Sequence, residues 1–236
     1  MSDNAIIFNT VRLWLDAKGF TPERIKTLDA ALANYLASGG APITLPPTIP
    51  ATSKGLLTAR SASEIVGHEA IVQEAYKDSV GVWTWSVGIA TTSGYDVLQY
   101  KDNPQPLQVC LKAYVELITS KYLPAVIKAF AGHQLTEAQL CAALSFHYNT
   151  GAILKASWPK LFLAGEVAKA RASIMEWKNP PEIVERRGKE RDLFFDGRWT
   201  GDGKATVYQV RKPSYTPDWG SAKRVPVLAD LQALLS

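Results

Sequence analysis

The hydrophobic pattern divides the chain into a helical start, a short strand-rich stretch and a long helical remainder. Ile7, Val11, Trp14 and Leu15 recur at helical spacing until Gly19 stops them. Ile25, Leu28, Leu32, Tyr35 and Leu36 form a second stripe, opened by Thr21-Pro22-Glu23 and closed by Gly39-Gly40. These predict a helical hairpin over 1–38. Residues 39–57 hold Pro42, Pro46, Pro47 and Pro50 with little periodicity, and read as a linker or an extended segment. The main domain is expected over 58–197. There, Ser61-x-x-Glu64 reads as a capping box with a helix running to about Ala75. Residues 82–90 predict a strand, paired across Thr92-Ser93-Gly94 with a second run near 95–100. Trp83, Trp85, Val87 and Ile89 fall on its packed face, and Val82, Thr84 and Ser86 on the other.

From residue 106 the period becomes helical. Leu107, Leu111, Tyr114 and Ile118 form a stripe that Pro124 breaks or kinks. Thr136-x-x-Gln139 caps the next helix, which carries Leu140, Leu144 and Tyr148 and ends at Gly151. Shorter helices are expected near 157–164, 166–178 and 181–195. The extension over 198–236 offers one strand-like stretch, Thr206 to Val210, and an amphipathic run from Val227 to Leu235. The fold class is α+β, mostly helical with a small β lobe.

Composition narrows the function classes. Hydrophobic residues make up 47% of 236, enough for a packed core. Mean hydropathy is −0.06, and no run approaches the ~18 apolar residues that cross a bilayer, so membrane insertion is not expected. Cys110 and Cys141 are too few for a disulfide scaffold. Buried free thiols are the better reading, with a single disulfide after export left open. A net charge of +4 and a pI near 9.0 suit an anionic polymer or surface. No CxxC pair occurs, and His68, His133 and His147 lack ligand spacing. No metal, cofactor or nucleic-acid partner is therefore expected. The first residues lack a basic n-region and an apolar h-region, which predicts accumulation in the cytoplasm.

The chemistry concentrates between Gly67 and Gly88. If Glu69 lies mid-helix, Ile65, Val66 and Val72 surround it, and partial desolvation keeps its carboxyl protonated, as a general acid requires. Asp78 falls in the polar turn Lys77-Asp78-Ser79, where water and backbone N–H groups keep it ionised. Two carboxyls in environments that differ this way form the pattern of glycoside hydrolysis. The Thr84 hydroxyl, off the packed face, is placed to hold a water for Asp78. Trp83 and Trp85 read as core. Arg187 shares a helical face with Ile183 and Phe194, so it reads as partly inward; a solvated basic face is the bland alternative.

Taken together, these residues resemble the phage-type lysozymes and endolysins of glycoside hydrolase family 24. The pattern is Glu69, Ala75-Tyr76, Asp78, Gly81, Thr84 and Gly88. It continues in Ser145-Phe-His-Tyr-Asn149-Thr-Gly151, and again in Arg186-Arg187-Gly-Lys-Glu190-Arg-Asp-Leu-Phe194. Two positions depart: Ser86 stands where the family has glycine, and Ile89 where it has histidine. The resemblance implies a lysozyme-like fold with a cleft between lobes. It implies a muramidase that cuts the β-1,4 bond from N-acetylmuramic acid to N-acetylglucosamine in peptidoglycan glycan strands. Glu69 would be the acid, with Asp78 and Thr84 placing the water. Arg186 would pair with Glu69, Arg187 would support it, and Asn149, Ser86 and His147 would line the cleft. A monomer, released to the cell wall when a holin opens the membrane, is the expected biology. A lytic transglycosylase, a virion-associated murein hydrolase and a non-catalytic peptidoglycan binder are the alternatives.

Overall fold

The computed structural model describes residues 55–236. The expected hairpin over 1–38, and the linker up to residue 54, lie outside the described residues. The linker's last residues, Leu56 and Leu57, are buried in the core. In chain order the elements are α1 (Ala59–Gly67), β1 (Ala70–Lys77), β2 (Trp83–Ser86), β3 (Ile89–Ala90), α2 (Leu107–Leu117), α3 (Leu123–Ala129), α4 (Glu137–Thr150), α5 (Trp158–Leu163), α6 (Val167–Ile174), α7 (Val184–Asp196), β4 (Lys204–Arg211), β5 (Thr216–Pro226) and α8 (Leu228–Leu235). The strands form one sheet in the order β3-β2-β1-β4-β5. The architecture is α+β, as the residue pattern predicts.

The first helix differs from expectation. It ends at Gly67, and Ala70–Lys77 is a strand. The N-cap is Thr58, whose hydroxyl accepts from the Ser61 N–H (3.0 Å). Glu64 does not close a capping box. Its buried carboxylate accepts from the N–H groups of Thr200 and Gly201 and from the Thr200 hydroxyl (2.6 Å), tying the chain beyond α7 to α1. Gly201 is required there, because a Cβ would stand 2.8 Å from Glu64 Oε2. The strand was hidden because Ile71-Val-Gln-Glu-Ala-Tyr76 suits either period. Its identity comes from partners on both sides, β2 antiparallel and β4 parallel. A bulge between Val72 and Tyr76 also disrupts the alternation that marks a half-buried strand.

The predicted strand over 82–90 is two strands joined by a tight turn. Ser86 (φ 58°) and Gly88 (φ 78°) reverse the chain, and Thr84 pairs with both Tyr76 and Ala90. The run near 95–100 is a loop that ends in a 3-10 turn, Leu98–Tyr100. Its aromatic residues pack as rings: Tyr100 stacks on Trp85, with centroids 3.6 Å apart. Thr84 and Ser86 are as buried as Trp85, so β2 has no solvent face, and Trp83 is only half-buried.

The helical half follows the pattern more closely. Thr136 and Gln139 form the expected capping box, and Gly151 ends α4 with φ 65°. Pro124 does not break the path. It sits in the first turn of α3, after a single π-helical turn over Ile118–Tyr122 that re-phases the backbone. Cys110 and Cys141 are buried free thiols. No helix among the described residues is long and apolar enough to cross a membrane.

Candidate active site

Glu69 is placed by the end of α1. The N–H of His68 reaches the Ile65 carbonyl (3.1 Å), and that of Glu69 reaches Val66 (3.0 Å). These bonds close the helix, and β1 starts one residue later. Glu69 is therefore not a mid-helix residue among apolar neighbours, as the sequence suggested. It stands half-buried at a helix–strand junction, and its Oε1 accepts a hydrogen bond from Arg186 Nη1. Its Oε2 lies beside Gly88, at the tip of the β2–β3 turn.

Arg186 is anchored from several directions. Its Nε donates to Glu190 Oε1 (2.9 Å), and its Nη2 donates to the Ser145 carbonyl (3.2 Å). Ser145 Oγ donates to the same Glu190 oxygen (2.6 Å). The other Glu190 oxygen takes Arg187 Nη1. Arg187 also donates to the Trp177 carbonyl (2.9 Å) and to Asn149 Oδ1 (2.7 Å), and lies over the Phe146 ring. Arg187 and Glu190 are fully enclosed. Burial works against the charge on Arg186, but Glu69 and Glu190 outweigh it and hold the guanidinium pKa above its usual value. In this cluster two guanidinium groups face the carboxylates of Glu69 and Glu190.

Asp78 opens the turn after β1. Its Oδ1 accepts from the N–H groups of Val80 (3.0 Å) and Val82 (2.8 Å), and its own N–H reaches the Val82 carbonyl. This is the polar turn that the sequence predicts, though it follows a strand rather than a helix. Thr84 is buried, and its hydroxyl donates to the Val82 carbonyl (3.2 Å), at the same turn. Tyr76 is the β1 partner of Thr84. Burial, then the charges of Glu69 and Asp78, push its phenol well above the ordinary tyrosine range. Tyr122 and Tyr148 also feel the Glu69 charge after burial, and Tyr148 donates to the Val87 carbonyl (2.5 Å).

The structure therefore joins Glu69 to Arg186 and sets Asp78 and Thr84 at one turn, with Thr84 paired to Tyr76 on β1. Arg187 reaches the site through Glu190, not by touching Glu69. Asn149 is exposed and holds Arg187. His147 is buried against Tyr122, accepts from the Ile153 N–H (3.5 Å), and has its pKa lowered by burial. Ser86 does not line a cleft: it is fully buried, and its hydroxyl donates to the Cys110 carbonyl (2.8 Å). Tyr76, Ser145 and Glu190 had no assigned role in the sequence reading. Glu190 was legible, since it lies three and four residues after the two arginines on one helix.

A helical domain with a small sheet, and a carboxylate pair set at the helix–strand junction and the first β-turn, defines the glycoside hydrolase class to which lysozymes belong. The phage lysozyme family model matches residues 66–190, more than half of the chain, and the protein belongs to that family. It is a peptidoglycan hydrolase. Among solved structures it is similar to an endolysin from Escherichia coli O157:H7 phage FAHEc1, at 22% identity and a TM-score of 0.50, over 61% of this chain and 96% of that one. It is also similar to the active form of the P1 phage endolysin Lyz, at 18% identity and a TM-score of 0.48, over 72% of this chain and 93% of that one. No curated protein sequence matches the chain.

Proposed function

We propose that the protein is a muramidase that cuts the β-1,4 bond from N-acetylmuramic acid to N-acetylglucosamine, with Glu69 as general acid. Arg186 holds Oε1, which leaves Oε2, on the Gly88 side, to pass its proton to the leaving oxygen. Asp78 is the base. Its Oδ1 is committed to the turn's N–H groups, so Oδ2 takes the proton of the attacking water. Thr84 spends its own hydrogen on Val82, and its oxygen is left to accept from the same water. A water held between base and sugar gives inversion at the anomeric carbon. The observation that carries this reading is the half-buried Glu69, held by Arg186 at the helix–strand junction, followed along β1 by a turn where Asp78 and Thr84 both bond to Val82. We further propose the biology of an endolysin, made in the cytoplasm and released to the wall.

Mass spectrometry of muropeptides after digestion of purified sacculi tests the reading. The expected products carry reducing muramic acid ends, and Glu69→Gln abolishes their release. Anhydro-muramic ends would instead mark a transglycosylase, and glucosaminyl reducing ends would mark the other glycosidic bond. Retained anomeric configuration would reject the water-holding role of Thr84.

A further inference from the structure

The β4–β5 hairpin carries an aromatic pair that neither the core nor the catalytic cluster uses. Trp219 is 65% exposed and meets Tyr208 edge-on, with centroids 5.0 Å apart. The indole is not on a floppy tip. Between Asp218 and Lys223, β5 takes five residue steps where β4 takes two, Val207 to Gln209, and Trp219 stands on this bulge. Ser221 Oγ accepts from the Gln209 N–H (2.8 Å) and donates to the Asp218 carbonyl (2.6 Å). The Asp218 carboxylate accepts from the Gly220 N–H (3.2 Å) and from Arg211 (3.0 Å). Bulges that re-aim a side chain are built features, and the bulge sets the exposed indole against a second aromatic ring.

The register says which surface. Val72 pairs with Ser86 on one side and Tyr208 on the other, and Tyr76 pairs with Thr84. Directly paired residues share a face. Tyr208 therefore stands beside Val72, three residues after Glu69, on the strand next to the one that runs from Glu69 to Asp78. Trp219, on β5, lies two strand spacings from β1, roughly 10 Å across the sheet. Lys204 adds positive charge to this face, while Arg224, opposite Thr206, already faces a carboxylate. Arg224 is held by Asp202 (2.6 Å).

We propose that Tyr208 and Trp219 form a sugar-stacking platform that binds the peptidoglycan strand beyond the residues that cut it. The pyranose ring presents an apolar C–H face that stacks on indole. The carboxylates of the peptide stems match the exposed Lys204. This assignment rests on peptidoglycan being the substrate. It differs from the catalytic reading, because it concerns how the enzyme stays on a polymer, not how it breaks one bond.

The test is co-sedimentation with purified sacculi in a Glu69→Gln background, where the polymer stays intact. Trp219→Ala is expected to bind roughly tenfold more weakly, the scale of one lost aromatic contact, while Trp219→Phe keeps most of the affinity. In the active protein, Trp219→Ala should lose more rate on sacculi than on a soluble tetrasaccharide muropeptide. Unchanged sedimentation of a folded Trp219→Ala, or equal losses on both substrates, would overturn the platform. So would a Trp219-dependent affinity for anionic phosphatidylglycerol vesicles without one for sacculi. If the parent protein releases no sugar ends from sacculi, the catalytic reading fails by itself, and the sedimentation comparison still decides the platform.

Discussion

The least expected residue is Glu190. Its carboxylate is enclosed, yet it receives hydrogen bonds from Arg186, Arg187 and Ser145. Buried ion pairs give little net stability, but removal of one partner strands the other's charge. Glu190→Ala would leave Arg186 with only Glu69, and Arg187 with no carboxylate at all. We expect a loss of about 3–5 kcal/mol in urea unfolding, together with lower peptidoglycan turnover as Arg186 loses the anchor that fixes Glu69. Unfolding free energy equal to the parent's would show that the arginines find other partners. The three-residue and four-residue spacing of the pair to Glu190 was visible in the sequence; that the whole cluster is enclosed was not, because enclosure needs α4 and Trp177 around α7.

Among the elements, the β2–β3 hairpin departs most from its family pattern. Ser86 occupies a position where the resembled motif has glycine, and its φ of 58° explains the glycine, which adopts this conformation without strain. The serine gains a buried hydrogen bond to Cys110 on α2, which offsets part of that strain. Two substitutions separate the effects. Ser86→Ala keeps the strain and loses the bond, for a cost of about 0.5–1.5 kcal/mol, since the Cys110 carbonyl keeps its helical partner. Ser86→Gly loses the same bond but relieves the backbone, so its melting temperature should lie above that of the alanine variant. The opposite order in a thermal unfolding series would mean that φ at this site costs nothing. The same hairpin shows why local pattern misplaced the strands: residues 82–90 have continuous β character, and the reversal inside them depends on backbone signs that residue type alone does not display.

At the scale of the molecule, the chain's end completes the sheet. β4 covers the outer edge of β1, α8 buries Leu231, and Glu64 grips Thr200 and Gly201. Global stability also has a pH dependence. His68 is held below the ordinary histidine pKa by burial and then by Arg186, and His147 by burial. In the unfolded chain both take up protons near pH 6.5; in the folded protein they do so only at lower pH. The unfolded state thus binds more protons in that window, and stability falls as pH drops below about 6.5. Urea unfolding from pH 7 downward should show this slope, and His147→Gln should flatten it. A slope unchanged by His147→Gln would remove that residue from the account.

The sequence by itself singled out Glu69, Asp78, Thr84, Arg186 and Arg187 as candidates and delimited the capped helix α4, because spacing and residue type are local properties. It also determined the α+β class, through the period of its apolar positions. Only the tertiary structure decided that Glu69 ends a helix instead of lying within one, that Ser86 is structural, and that the C-terminal strands join the same sheet as the acids. These depend on which strand finds which edge. A stretch such as Ala70–Lys77 fits either a helix or a strand until β2 and β4 supply partners for its backbone N–H and C=O groups.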